Sequence, residues 1–111
     1  MNDDAENQNI LQLLDPGERI HHRARAVEGL VAITDRRLLV SDANRIALNV
    51  AIDQLRRIQF DIERQRPATL VIVPEHPSHL PQVLSIPPEQ FAAAGEALAM
   101  IGQRLAEEDP G

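Results

Sequence analysis

The apolar positions of this chain recur mostly at every second residue, and only near the C-terminus do they shift to a three- and four-residue step. The first rhythm predicts strands and the second an amphipathic helix. From Glu18 to Val27, Ile20, His22, Ala24 and Ala26 alternate with Arg19, His21, Arg23 and Arg25, the pattern of a half-buried strand. Glu28-Gly29 turns into a short strand over Leu30–Thr34. Asp35-Arg36 turns again into Arg37–Ser41, with a dense apolar centre at Leu38, Leu39 and Val40. A turn at 42–44 leads to a fourth strand over Arg45–Val50, and residues 51–55 form a bend or single helical turn. Arg56–Glu63 alternates most regularly, with Ile58, Phe60 and Ile62 on one face. Ala68–Val73 and Gln82–Ile86 are two further strands. They flank a loop over 74–81 that holds Pro74, Pro77 and Pro81, which cannot donate to a ladder. Short connections of this kind belong to antiparallel meanders.

After Pro87-Pro88 the chain reads as a helix from Glu89 to about Ala106, with Phe91, Ala94, Leu98, Ile101 and Leu105 on one face. Ala92, Ala93, Ala94, Gly95, Ala97, Ala99 and Gly102 make the helix unusually small-sided, so a second element can approach closely. At the other end, residues 1–9 are polar and acidic with no apolar period and are expected to be a disordered tail. Ile10, Leu11, Leu13 and Leu14 suit one or two helical turns before Pro16-Gly17. Residues 107–111 are expected to fray.

The element order is six or seven short antiparallel strands and then one amphipathic helix. That predicts a mainly β, α+β fold: a curved sheet or partly closed barrel capped by the helix. Residue-level features sharpen this. Leu14-Asp15-Pro16-Gly17-Glu18 resembles the opening of bacterial pleckstrin-homology (PH) domains. Gly29 to Val40, containing Thr34-Asp35-Arg36-Arg37-Leu38, resembles their strand–turn–strand signature, and Ile52 to Ile58 resembles the approach to their next strand. The resemblance implies one PH-like domain over residues 10–106 and no enzymatic activity. Eukaryotic relatives grip phosphoinositides with Lys and Arg in the first hairpin. Here that hairpin offers Arg23 and Arg25, no Lys, and an intervening Glu28, so the role is not carried over. Physically, Asp35 can bond its own backbone in a tight turn, with Thr34 assisting and Arg36 pairing with the carboxylate, so these three are expected to hold the hairpin.

Charge narrows the expected partners. Residues 1–17 hold four acids and no base, residues 18–66 ten Arg against seven acids, and residues 67–111 one Arg against six acids, for a net −6. That balance, with Phe60 and Phe91 and no Tyr or Trp, disfavours nucleic acid. The central arginines leave one anionic-ligand reading open, in which Arg23, Arg25, Arg45 and Arg57 form a patch for a phosphate-bearing ligand or a membrane surface. The favoured expectation is a binding or scaffolding module. It engages a protein or peptide by strand addition at a sheet edge or in the groove between sheet and helix, with self-association as a further expectation. The chain contains no Cys. His21 and His22 point to opposite faces, and His76 with His79 and Glu75 has no specific ligand spacing, so neither a metal nor a cofactor is expected. No nucleophile motif or phosphate-binding loop occurs, so no catalytic residue is expected. Without a signal sequence or apolar span, the expected location is the cytoplasm.

Overall fold

The computed structural model describes residues 3–42, 45–62, 66–76 and 78–108. The expected turn at 42–44 falls partly outside them, as do Glu63, at the end of the expected fifth strand, and the last three residues of the expected frayed end. The described residues form helix α1 (Asp3–Leu11), strands β1 (Ile20–Arg25), β2 (Leu30–Thr34), β3 (Arg37–Ser41), β4 (Ile46–Ala51), β5 (Leu55–Asp61), β6 (Ala68–Pro74) and β7 (Gln82–Ile86), and helix α2 (Phe91–Glu108). Single 3₁₀ turns at Ile52–Gln54 and Pro88–Gln90 introduce β5 and α2. All paired strands are antiparallel neighbours in sequence. They make a four-stranded sheet, β1-β2-β3-β4, and a three-stranded sheet, β5-β6-β7. The sheets are not closed into a barrel. They meet at a corner where the Val27 N–H donates to the Ser85 carbonyl at 2.8 Å. There Glu28 accepts from the Ser85 N–H at 2.7 Å and from its hydroxyl at 3.1 Å. Gly29 is required at this corner, because an added Cβ would collide with the Ser41 carbonyl oxygen.

The main core lies between the sheets and under α2. Val31, Ile33, Leu38, Val40 and Leu48 come from the first sheet, Leu70, Ile72, Leu84 and Ile86 from the second, and Ala94, Ala97 and Ile101 from the helix. The side chain of Leu105, expected on the same helix face, lies outside those described. A second core covers the opposite face of the four-stranded sheet. There Ile10 packs with Leu30, Ala32 and Leu39, flanked by Leu14, Ile20 and Ile46.

This second core corrects the expected N-terminal tail, since residues 3–11 are helical and α1 is its lid. The helix has almost no apolar periodicity of its own. It is held near its C-terminal end by Ile10, fully buried, and at its middle by Glu6, buried and ion-paired to Arg25. A buried carboxylate is tolerable only with such a partner. Between them Asn7 accepts from Arg23 at 2.6 Å, and Asn9 donates to the Asp42 carbonyl at 3.3 Å. The alternation of β1 also breaks. A bulge between Ile20 and His22 places Ile20 on the α1 side of the sheet, whereas Ala24 faces the main core.

Candidate functional site

Two of the four arginines expected as ligand-binding residues, Arg23 and Arg25, lie on the α1 side of β1 and bind Asn7 and Glu6. Arg45 sits before β4, at the far edge of the same sheet, largely exposed and 3.8 Å from Asp42. Arg57 belongs to β5 in the other sheet. These elements do not bring the four guanidinium groups together.

The residues expected to hold the β2–β3 turn do meet, with different roles from those expected. Thr34 is the hub. Its hydroxyl accepts from the Arg36 and Arg37 N–H groups at 3.0 and 2.9 Å and donates to Glu18 at 2.7 Å. The Asp35 carboxylate accepts the Arg19 N–H at 3.2 Å, and Arg36 pairs with Asp15 rather than Asp35. Glu18 in turn receives the Arg37 guanidinium at both oxygens, 2.6 and 3.0 Å, and the Asp15 N–H at 2.9 Å. The Arg37 hydrogen bonds hold the Glu18 carboxyl down to about 2. Burial opposes the shift, and the Asp15 N–H and Thr34 hydroxyl assist it. The Arg37 pKa is raised, chiefly by the same hydrogen bonds. Both Glu18 oxygens are used within the fold, so the cluster braces the loop before β1.

His76 and His79 border a hollow of about 390 Å³ between β4 and the β6–β7 loop, with Asn49, Gln54 and Ser78. Their ring centroids are 6.4 Å apart, and His76 Nδ1 is 2.7 Å from the Ser78 hydroxyl. Among the described residues no group of three or more His, Asp or Glu is placed to hold a metal ion.

Among the described residues β1, β4, β5 and β7 are all edge strands, and one surface with unused binding capacity is the margin between β5 and α2. Helix α2 runs antiparallel to β1, and both its ends are fixed. Near its start Gln90 Oε1 accepts the Arg25 N–H at 3.0 Å, and near its end Arg104 donates to the Asp35 carbonyl. The Ile52 N–H donates to the Arg36 carbonyl, so the beginning of β5 lies near the end of α2. At the opposite extreme the Phe60 and Phe91 rings meet edge to face at 5.9 Å. Strand β5 therefore runs antiparallel to α2 along a shared margin.

Helical periodicity decides which flank of α2 borders that margin. Gln90, Ala97 and Arg104 turn toward β1, whereas Phe91, Gly95, Leu98 and Gly102, at steps of four, three and four, form the stripe on the β5 side. Beyond the stripe lie Ala92 and Ala99, both exposed, so this flank carries no charge from Phe91 to Gly102. Nothing approaches within 4 Å of where a Cβ on Gly95 or Gly102 would stand. Across the margin Ile58 and Phe60 are half-buried and Ile62 is 59 % exposed. Among the described residues β5 pairs only with β6, so its other edge keeps its backbone donors and acceptors without a strand partner. The site is thus an unpaired strand edge floored by apolar side chains and walled by a smooth, uncharged helix flank. Alternation flagged the β5 residues in the sequence, and the small-residue run flagged the helix; neither showed that the two are neighbours.

Two sheets of four and three strands with a C-terminal helix packed across them define the PH-like fold. The crystal structure of a pleckstrin homology domain from Shewanella amazonensis superposes on this chain with a TM-score of 0.64, covering 96% of this chain and 99% of that one at 12% identity. No family model and no curated protein matches the sequence. No helix among the described residues is long and apolar enough to cross a membrane.

Proposed function

We propose that the domain is a non-catalytic protein-binding module that takes up an extended segment of a partner as an added strand on β5, under the uncharged flank of α2. The observation that carries this reading is the coincidence of an unpaired edge and an apolar, sterically open helix flank on one margin. Backbone hydrogen bonds to the edge supply affinity. Alternate side chains of the segment then fall between Ile58, Phe60 and the Phe91–Leu98 stripe and supply selectivity. The segment that fits is apolar at alternate positions, because the helix flank has no group to pair a charge. PH-like domains as a class bind proteins or lipids. Here a lipid-headgroup reading loses support from the engagement of Arg23 and Arg25 by α1 and from the scattered positions of Arg45 and Arg57.

The test is peptide selection by display, followed by amide chemical-shift mapping. The expected result is perturbation confined to residues 55–62 and the 91–102 flank, abolished by Gly95→Leu together with Gly102→Leu. Perturbation centred on another edge, or binding that survives filling of the flank, would overturn the assignment.

A further inference from the structure

The β5 edge is complementary to itself, and we infer that the segment it accepts is β5 of a second copy of this chain. This inference rests on the groove reading above and names its occupant.

From Arg57 to Asp61 the strand keeps a regular register with β6, after an irregularity between Leu55 and Arg57. This regular run is centred on Gln59. In an antiparallel pair, residues directly opposite each other lie on the same face of the sheet. Pairing two copies about Gln59 sets Arg57 opposite Asp61 of the second copy, and Asp61 opposite its Arg57. Both pairs lie on the outer face. On the inner face Ile58 stands opposite Phe60 of the second copy, and the reverse. Shifting the centre to Ile58 sets Arg57 against Gln59, and shifting it to Phe60 sets Asp61 against Gln59. Only the Gln59-centred register joins both charges and matches both apolar residues.

The charges are available for this use. Both side chains are exposed, and among the described residues no carboxylate pairs with Arg57. Asp61 is oriented by a 2.8 Å hydrogen bond from Gln59, the residue on the axis. Charges on a sheet edge usually discourage pairing. Opposite signs placed symmetrically about one residue do the reverse for a copy of the same edge. The twofold also brings the Phe91–Gly95–Leu98–Gly102 stripe over the second copy's inner-face residues, and the two glycines leave the room this needs. The product is a closed, isologous dimer with a continuous sheet of two times three strands, which removes the open β5 edge from both copies.

Charge exchange tests this in solution. By light scattering after size exclusion, the full chain should show concentration-dependent dimers. Arg57→Asp and Asp61→Arg each replace two attractive cross-strand pairs by two repulsive ones and should raise the dimer Kd roughly tenfold to a hundredfold. An equimolar mixture of the two variants should form a heterodimer, and the R57D/D61R double variant should self-associate again. Circular dichroism of each variant checks that it is folded. A wild-type dimer that both single changes leave intact overturns the pairing. A wild type that stays monomeric while its β5 and α2 amides respond to a selected peptide overturns the second copy as occupant and leaves the groove reading standing. A monomeric wild type with no such response overturns both.

Discussion

Protonating Glu18 should weaken the fold over a defined pH window, because the carboxylate is the centre of the brace before β1. Its side chain is fully buried against Arg37, whose own side chain is 18% exposed. The folded-state pKa lies near 2, against 4.5 for the ordinary group. A depressed folded pKa means that the unfolded chain binds the proton more tightly. The contribution is therefore complete above the unfolded value and lost as pH falls from about 5 toward 2. The gap corresponds to about 3 kcal/mol, a large share of the stability of a domain this size. Urea unfolding followed by far-UV circular dichroism at pH 7 and at pH 3 should show a loss of about 2 kcal/mol in the wild type, with the remainder lost below pH 3. Glu18→Gln keeps the shape, removes the charge and leaves the Arg37 guanidinium without its carboxylate. It should cost about 2–3 kcal/mol at pH 7 and make stability much less dependent on pH below 5. If wild type and E18Q lose stability in parallel between pH 5 and 2, other carboxylates govern acid unfolding and the brace has been overvalued.

Three further outcomes follow from the packing. Ile10→Ala should cost about 2–4 kcal/mol by urea unfolding, because Ile10 is fully buried on Leu30, Ala32 and Leu39; a loss below measurement would mean that α1 does not cover this face. Gly29→Ala should destabilise by about 2 kcal/mol, since the new Cβ meets the Ser41 carbonyl, part of the backbone and not a movable side chain. Gly95→Ala should raise the melting temperature through a gain of about 0.5–1 kcal/mol in helix propensity, because its surroundings are open; the opposite signs of the two glycine changes can be read from thermal melts of the two variants.

Strands β1 and β4–β7 and helix α2 were legible because each carries its burial in its own periodicity, and β2 and β3 because each is a short apolar run between turn residues. Helix α1 was not, because its burial is carried by other segments. Asp3–Asn9 is polar apart from Ala5 and reads as solvated. The information lay instead in β2 and β3, where every residue of Leu30–Thr34 and the run Leu38–Ser41 is buried. An apolar run without alternation needs cover on both faces, and one helix at the C-terminus can cover only one. Glu6 completes the concealment. It looks like a tail residue because the cation that makes its burial tolerable, Arg25, lies 19 positions away on a strand.

The same reasoning separates the arginines. By residue type Arg23, Arg25, Arg37, Arg45 and Arg57 are equivalent. Three are bound to Asn7, Glu6 and Glu18, and one leans on a neighbouring Asp in its own turn. Arg57 alone of the five faces outward from an unpaired edge, with an opposite charge four residues along the same strand face. Local chemistry could not rank Thr34 above Asp35 as the turn's hub either, since both can bond nearby backbone. Thr34 takes the role because its hydroxyl proton has a buried acceptor in Glu18, whereas the Asp35 carboxylate faces Arg19 at the surface. Where a polar residue's role depends on one long-range partner, the sequence restricts the options and the sheet order selects among them. The β5 edge is the case in which that selection leaves capacity over: its two charges are matched to each other across an axis that a single chain does not contain.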